Sequence, residues 1–78
     1  MKRFSYLQRL QMNIADQIFK MRTKEGWSKG ELSRRLNTSI AQVSRLEDPE
    51  RCKTNLETLV KLAKLFKRDL QIKFVKRR

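Results

Sequence analysis

The chain has 78 residues, and its 20 Lys and Arg against 8 Asp and Glu give a formal net charge of +12. That length predicts one domain. With no histidine and one cysteine, Cys52, the composition excludes an internal disulfide, leaves too few ligands for a zinc or iron–sulfur centre and removes the commonest general base, so neither cofactor nor catalysis is expected.

The N-terminal stretch MKRFSYLQRLQMN is too broken by polar residues for a secretory signal. No apolar run approaches the roughly 20 residues of a membrane span. A reducing, cytoplasmic location is therefore expected. Leu7, Leu10, Ile14, Ile18 and Met21 recur at three- and four-residue steps. They predict a first helix over about 6–24, which Gly26 stops. Its beginning has two readings: residues 1–12 are an N-terminal arm, with Phe4 and Tyr6 packing back, or the start of that helix.

Three further helix starts carry one signature. Ser28 precedes Glu31 by three residues, Ser39 precedes Gln42, and Thr54 precedes Glu57. Each fits a capping box, in which the cap side chain and the third residue satisfy each other's free backbone N–H groups. They predict helices over about 29–36, 40–47 and 55–66. Leu32 and Leu36 line the first of these, Val43 and Leu46 the second. Leu56, Leu59, Val60, Leu62, Ala63 and Phe66 line the last, which is expected to be largely buried. Only Asn37-Thr38-Ser39 separates two short helices, and Asn tolerates the left-handed conformation that ends a helix. That is the size and shape of a helix-turn-helix. Phe19 and Trp27 fit core positions, which leaves no aromatic platform for single-stranded nucleic acid. Asp48-Pro49 closes the third helix.

The end of the chain changes period. Leu70, Ile72 and Phe74 alternate with Gln71 and Lys73, the pattern of a short strand. A lone strand has open hydrogen-bonding edges, so its partner is expected to be the same strand of a second copy, in a symmetric dimer. The alternative is an extended tail that covers the fourth helix. Charge is also uneven. Residues 1–25 carry six basic and two acidic side chains, residues 26–60 six and five, residues 61–78 eight and one: net +4, +1 and +7. Such a surplus repels itself unless a polyanion relieves it, the alternative being a merely solubilising tail.

The segment IADQIFKMRTKEGWSKGELSRRLNTSIAQVSRLED, with NLETLVKLAKLF after it, resembles the Xre family, the helix-turn-helix DNA-binding domains of phage lambda repressor and Cro type. The likeness lies in Arg22, Gly26, Trp27, the capped Glu31-Leu32 helix and Ser44-Arg45-Leu46-Glu47. The final LQIKFV resembles the strand that ends some small plasmid and phage regulators and antitoxins. The resemblance implies a mainly α, lambda-repressor-like bundle of four to five helices, with the short C-terminal strand paired across a homodimer. Residues 13–67 would be the helix-turn-helix domain, and 68–78 the dimerising strand (Leu70, Ile72, Phe74) and basic tail. It also implies an ion pair between Arg22 and Glu47. The sequence departs from the family pattern at Lys29, Ser33, Asn37 and Asp48-Pro49.

On this reading the third helix is the recognition helix, lying in the major groove. Ile40, Ala41, Ser44 and Arg45 are the expected base readers. Arg45 would bond guanine O6 and N7, and Ile40 and Ala41 would touch thymine methyl groups, unless Ile40 folds into the core. Lys29, Arg34, Arg35, Ser39, Gln42 and Lys53 are the expected phosphate contacts, which position without reading sequence. The function expected is a dimeric repressor at a palindromic operator of double-stranded DNA. One alternative is an antitoxin that neutralises a toxin protein and regulates its own operon. Another is a bundle serving protein interaction alone.

Overall fold

In the computed structural model, which describes residues 3–77, four helices follow one another: α1 (Tyr6–Lys24), α2 (Lys29–Leu36), α3 (Ile40–Leu46) and α4 (Leu56–Leu65). Met1, Lys2 and Arg78, which the expected terminal segments include, lie outside the described residues.

Helix α1 starts from a closed capping box. The Ser5 hydroxyl accepts from the Gln8 N–H at 3.1 Å, and the Gln8 side chain accepts from the Ser5 N–H at 2.8 Å. Residues 6–12 are therefore the first two turns of α1. The pattern Ser5-x-x-Gln8 was present in the sequence and carries the same signal as the other three boxes. Of those three, two close only by half and the third does not form. Ser28 and Ser39 accept from the N–H groups of Glu31 and Gln42, but the Glu31 carboxylate turns to arginines instead. At the fourth helix the cap is Asn55, not Thr54: Asn55 Oδ1 accepts from the Thr58 N–H at 2.8 Å. The Thr54 hydroxyl is left buried without a partner among the described residues.

Three helices end alike. A residue with positive φ follows the last turn: Gly26 (76°), Asn37 (57°) and Lys67 (55°). At each, two N–H groups fold back onto the last free carbonyls. Trp27 donates to Arg22 and Gly26 to Thr23; Thr38 donates to Ser33 and Asn37 to Arg34; Arg68 donates to Ala63 and Lys67 to Lys64. These are Schellman ends, and they set the sharp exits that hold the helices in a bundle. Asp48-Pro49-Glu50-Arg51 forms a turn closed by Arg51 N–H to Asp48 O at 3.1 Å, with Asp48 Oδ1 accepting from the Glu50 N–H.

The core is Ile18, Leu32, Val43, Leu46, Leu62 and Phe66, ringed by Ile14, Met21, Trp27, Leu36, Leu59 and Leu65. Trp27 stacks on Phe66 with centroids 5.3 Å apart. Cys52, in the loop between α3 and α4, is also buried. Burial departs from expectation in three places. Phe19 is 47% exposed rather than core, because the apolar stripe of α1 faces away from it. In α4 only Leu62 is buried, with Phe66 just beyond the helix; Leu56 and Val60 face outward. Finally, no strand forms among the described residues: Leu70, Ile72 and Phe74 lie in coil on the α1–α4 side. Alternation supplies a strand's side-chain pattern, but a ladder also needs a second backbone to bond with, and the single chain offers none there.

Candidate nucleic-acid interface

The geometry of α3 begins with its anchors. Val43 and Leu46 are fully buried and pin one side of the helix to the core. The other side is positioned by Arg22, in the last turn of α1. Its Nε donates to Glu47 Oε2 at 2.6 Å, its Nη2 to Glu47 Oε1 at 3.0 Å and its Nη1 to the Trp27 carbonyl at 2.7 Å. The pair is nearly dry, with side chains 10% and 3% exposed. Hydrogen bonding to Glu47, and then its negative charge, raises the Arg22 pKa against the opposing effect of burial. This two-pronged pairing joins the end of α1, the Trp27 loop and the end of α3 at one point.

With that side fixed, the free face of α3 follows from helical spacing. Ile40 and Ser44 stand one turn apart, as do Ala41 and Arg45, so the four form one patch. Ile40 is 56% exposed, Ala41 and Arg45 are exposed, and Ser44 is half-buried. Ile40 leans toward the start of α2, where a Cβ placed at Gly30 would sit 3.7 Å from Ile40 Cδ1. Arg45 is in no ion pair among the described residues.

The six expected phosphate contacts are not equivalent. Lys29 and Lys53 are exposed and outside every ion pair among the described residues. Ser39 keeps its hydroxyl proton free, because as cap it only accepts. Gln42 is half-buried beside a groove shared with Asn37, Thr58 and Lys61. Arg34 and Arg35 are both held by Glu31, at 2.5 and 2.7 Å, and these bonds, Arg34's first, lower the Glu31 pKa. Arg35 also lies 4.2 Å over the Trp27 ring, so part of its side chain covers core. Sequence reasoning missed this Glu31 clamp. Its signal was available, since Glu31 stands three and four residues before two arginines.

Among the described residues, no three His, Cys, Asp or Glu side chains lie close enough to hold a metal ion, and no helix is long and apolar enough to cross a membrane.

A family model described as helix-turn-helix matches residues 18–73. A chain of the solved HipA-HipB-O2-O3 complex is similar in structure, with a TM-score of 0.67 at 21% sequence identity, over 97% of this chain and 99% of that one. Among curated proteins none matches.

Proposed function

The chain belongs to the Xre-type helix-turn-helix family of DNA-binding transcription regulators, and from that premise we propose that it is a dimeric, cytoplasmic repressor acting at a palindromic operator. The observation that carries this reading is the patch of Ile40, Ala41, Ser44 and Arg45, facing outward on a helix whose opposite side is fixed by Val43, Leu46 and the Arg22–Glu47–Trp27 junction.

On this proposal α3 lies in the major groove. Arg45, free of acidic partners, gives two hydrogen bonds to a guanine edge. Ile40 and Ala41 seat thymine methyl groups, and Ser44 bonds either base type. Lys29, Ser39, Gln42 and Lys53 take phosphates, and Arg34 joins them by leaving Glu31. Arg35 contributes chiefly through its packing on Trp27. Leu70, Ile72 and Phe74 find the backbone they lack in the same segment of a second copy, and the two-fold axis sets half-sites about 10 base pairs apart. The role is binding; no catalytic step is assigned.

The test is selection from random DNA with the wild type and Arg45→Ala. The variant should lose base preference at one position per half-site, worth about 1–3 kcal/mol there. A selected motif unchanged by the substitution would overturn the assignment of Arg45.

A second reading adds a protein partner, as for an antitoxin that holds a toxin. The similarity to a chain from a HipA-HipB-O2-O3 complex favours it, as do the exposed apolar side chains of residues 70–75. Co-purification with the product of a neighbouring gene would support it; a dimer that never retains that product would count against it.

A further inference from the structure

We propose that the chain has a second DNA-binding face, formed by the cations of its C-terminal segment, which holds a duplex other than the one on α3. The first observation is where the charge lies. Residues 26–60, which hold α2, α3 and their turn, carry only +1 of the total +12, while residues 61–78 carry +7. Charge meant only to hold the duplex on α3 belongs beside α3.

The second observation is pairing. Within the helices and the turn after α3, six basic side chains are bound to five acidic ones: Lys20 to Asp16, Arg22 to Glu47, Arg34 and Arg35 to Glu31, Arg51 to Asp48 and Lys61 to Glu57. Arg9, Lys24, Lys29, Arg45 and Lys53 lie singly among these pairs, outside any ion pair among the described residues, but beyond Lys61 none of the described cations is paired at all. Lys64, Lys67, Arg68, Lys73, Lys76 and Arg77 are all exposed, and none is in an ion pair among the described residues. Asp69 is the one acid there.

The third is position. Arg68 and Lys73 border a groove of about 820 Å³ with Tyr6, Leu10 and Leu59, and no residue of α2 or α3 lines it. Arg68 and Lys73 thus sit on the α1–α4 side. From Arg68 to Arg77 the chain forms neither helix nor strand, so no hydrogen-bonded ladder stops its cations from following a phosphate backbone. Attraction of this kind depends on charge and not on base sequence, and it needs no shaped pocket. An acidic protein would instead call for matched hydrogen-bonding groups, and Gln71 is the only uncharged polar side chain from Leu65 to Arg77. Pairing of Leu70, Ile72 and Phe74 in a dimer leaves these cations at the rim and doubles their number.

The proposal rests on α3 holding the first duplex, and the test separates the two faces. Full-length protein is loaded onto a bead-bound duplex, and a second, fluorescent duplex is then offered over a range of salt. Wild type should capture the second duplex at low salt. The variant R68Q/K73Q/K76Q/R77Q should coat the beads as before but lose capture, its salt slope for that step falling by about 3.6, or roughly 0.9 for each phosphate that is no longer neutralised. Lys29→Gln should do the reverse, weakening the coating and sparing capture per bound protein. The four substituted positions are exposed and outside the core, and a thermal melt matching wild type shows that the variant folds. Capture by the variant equal to wild type overturns the proposal, because a dimer's two α3 helices would then be doing the bridging. Equal loss of coating and capture overturns it too, placing the cations on the first duplex. A wild type that coats but captures nothing also overturns it, in favour of a protein-binding face. Failure of α3 as reader shows separately, as a random-DNA selection without a motif.

Discussion

The two halves of α1 share one apolar stripe and live in different surroundings. From Ile14 onward the stripe is packed: Ala15 is buried, Ile18 is buried against Leu32 of α2, Val43 and Leu46 of α3 and Leu62 of α4, and Arg22 ends the run in its bond to Glu47. Before Ile14 it is open. Tyr6, Leu7 and Leu10 are 73%, 63% and 45% exposed, and across the groove from Tyr6 and Leu10 the C-terminal coil leaves Ile72, Phe74 and Val75 uncovered as well. Periodicity therefore announces a face that wants covering; it does not say whether the cover comes from the same chain. The packed half orients α3. The open half offers contiguous apolar surface of the kind that marks an interface.

Substitutions test that contrast, the largest effects belonging to the packed half. Glu47→Ala strands a nearly dry arginine and should cost about 3–5 kcal/mol in chemical denaturation. DNA binding should fall further than the lost stability explains, since the end of α3 is then unpinned. Leu32→Ala removes a fully buried side chain and should cost about 2–5 kcal/mol. In the open half, Leu7→Ser should change the stability of dilute protein by no more than about 0.5 kcal/mol. It should instead weaken self-association in sedimentation velocity. A loss at Leu7 matching that at Leu32, at every protein concentration, would break the contrast.

A finer test uses pH. Bonds from Arg34 and Arg35 lower the Glu31 pKa, and the Glu50 N–H followed by Arg51 lowers that of Asp48. A carboxylate with a depressed folded pKa adds stability above its unfolded value and loses it as pH falls through the folded one. Both carboxylates are partly covered but still reach solvent, so the melting temperature should drop only modestly as pH falls below about 4. Glu31→Gln should remove part of that drop.

Most of the fold was legible because the deciding signals are local. Ser28, Ser39 and Asn37 mark the limits of α2 and α3 through bonds spanning five residues or fewer, and Val43 with Leu46 marks the buried side of α3. Two failures were also local, but competitive. Thr54 and Asn55 are both good caps, and which one serves depends on the path of the preceding loop. Glu31 fits a capping box and an arginine clamp equally well, and two cations outweigh one N–H. The remaining misses depend on distant partners. Phe19 sits at a helical step that permits burial, yet Ile18 and Arg22 set which side of α1 faces inward. The residues from Leu70 to Phe74 have a strand's alternation without a strand's neighbour. For the interface, sequence spacing brought Ile40, Ala41, Ser44 and Arg45 to one face; what it could not order was the six expected phosphate contacts, because Arg34 and Arg35 differ from Lys29 and Lys53 only in what already holds them.

Cys52 has one more use. Its thiol is enclosed where α3 hands over to α4, and burial, then the charge of Asp48, pushes its pKa up. Alkylation requires an exposed thiolate, so at neutral pH the reaction waits for that joint to open. As the chain has a single sulfhydryl, each molecule gains one label or none, and intact mass counts the molecules that have opened. Cys52 thus reports on opening of the loop between α3 and α4: labelling should be slow in native protein, immediate in denaturant, and slower again if bound DNA steadies that loop.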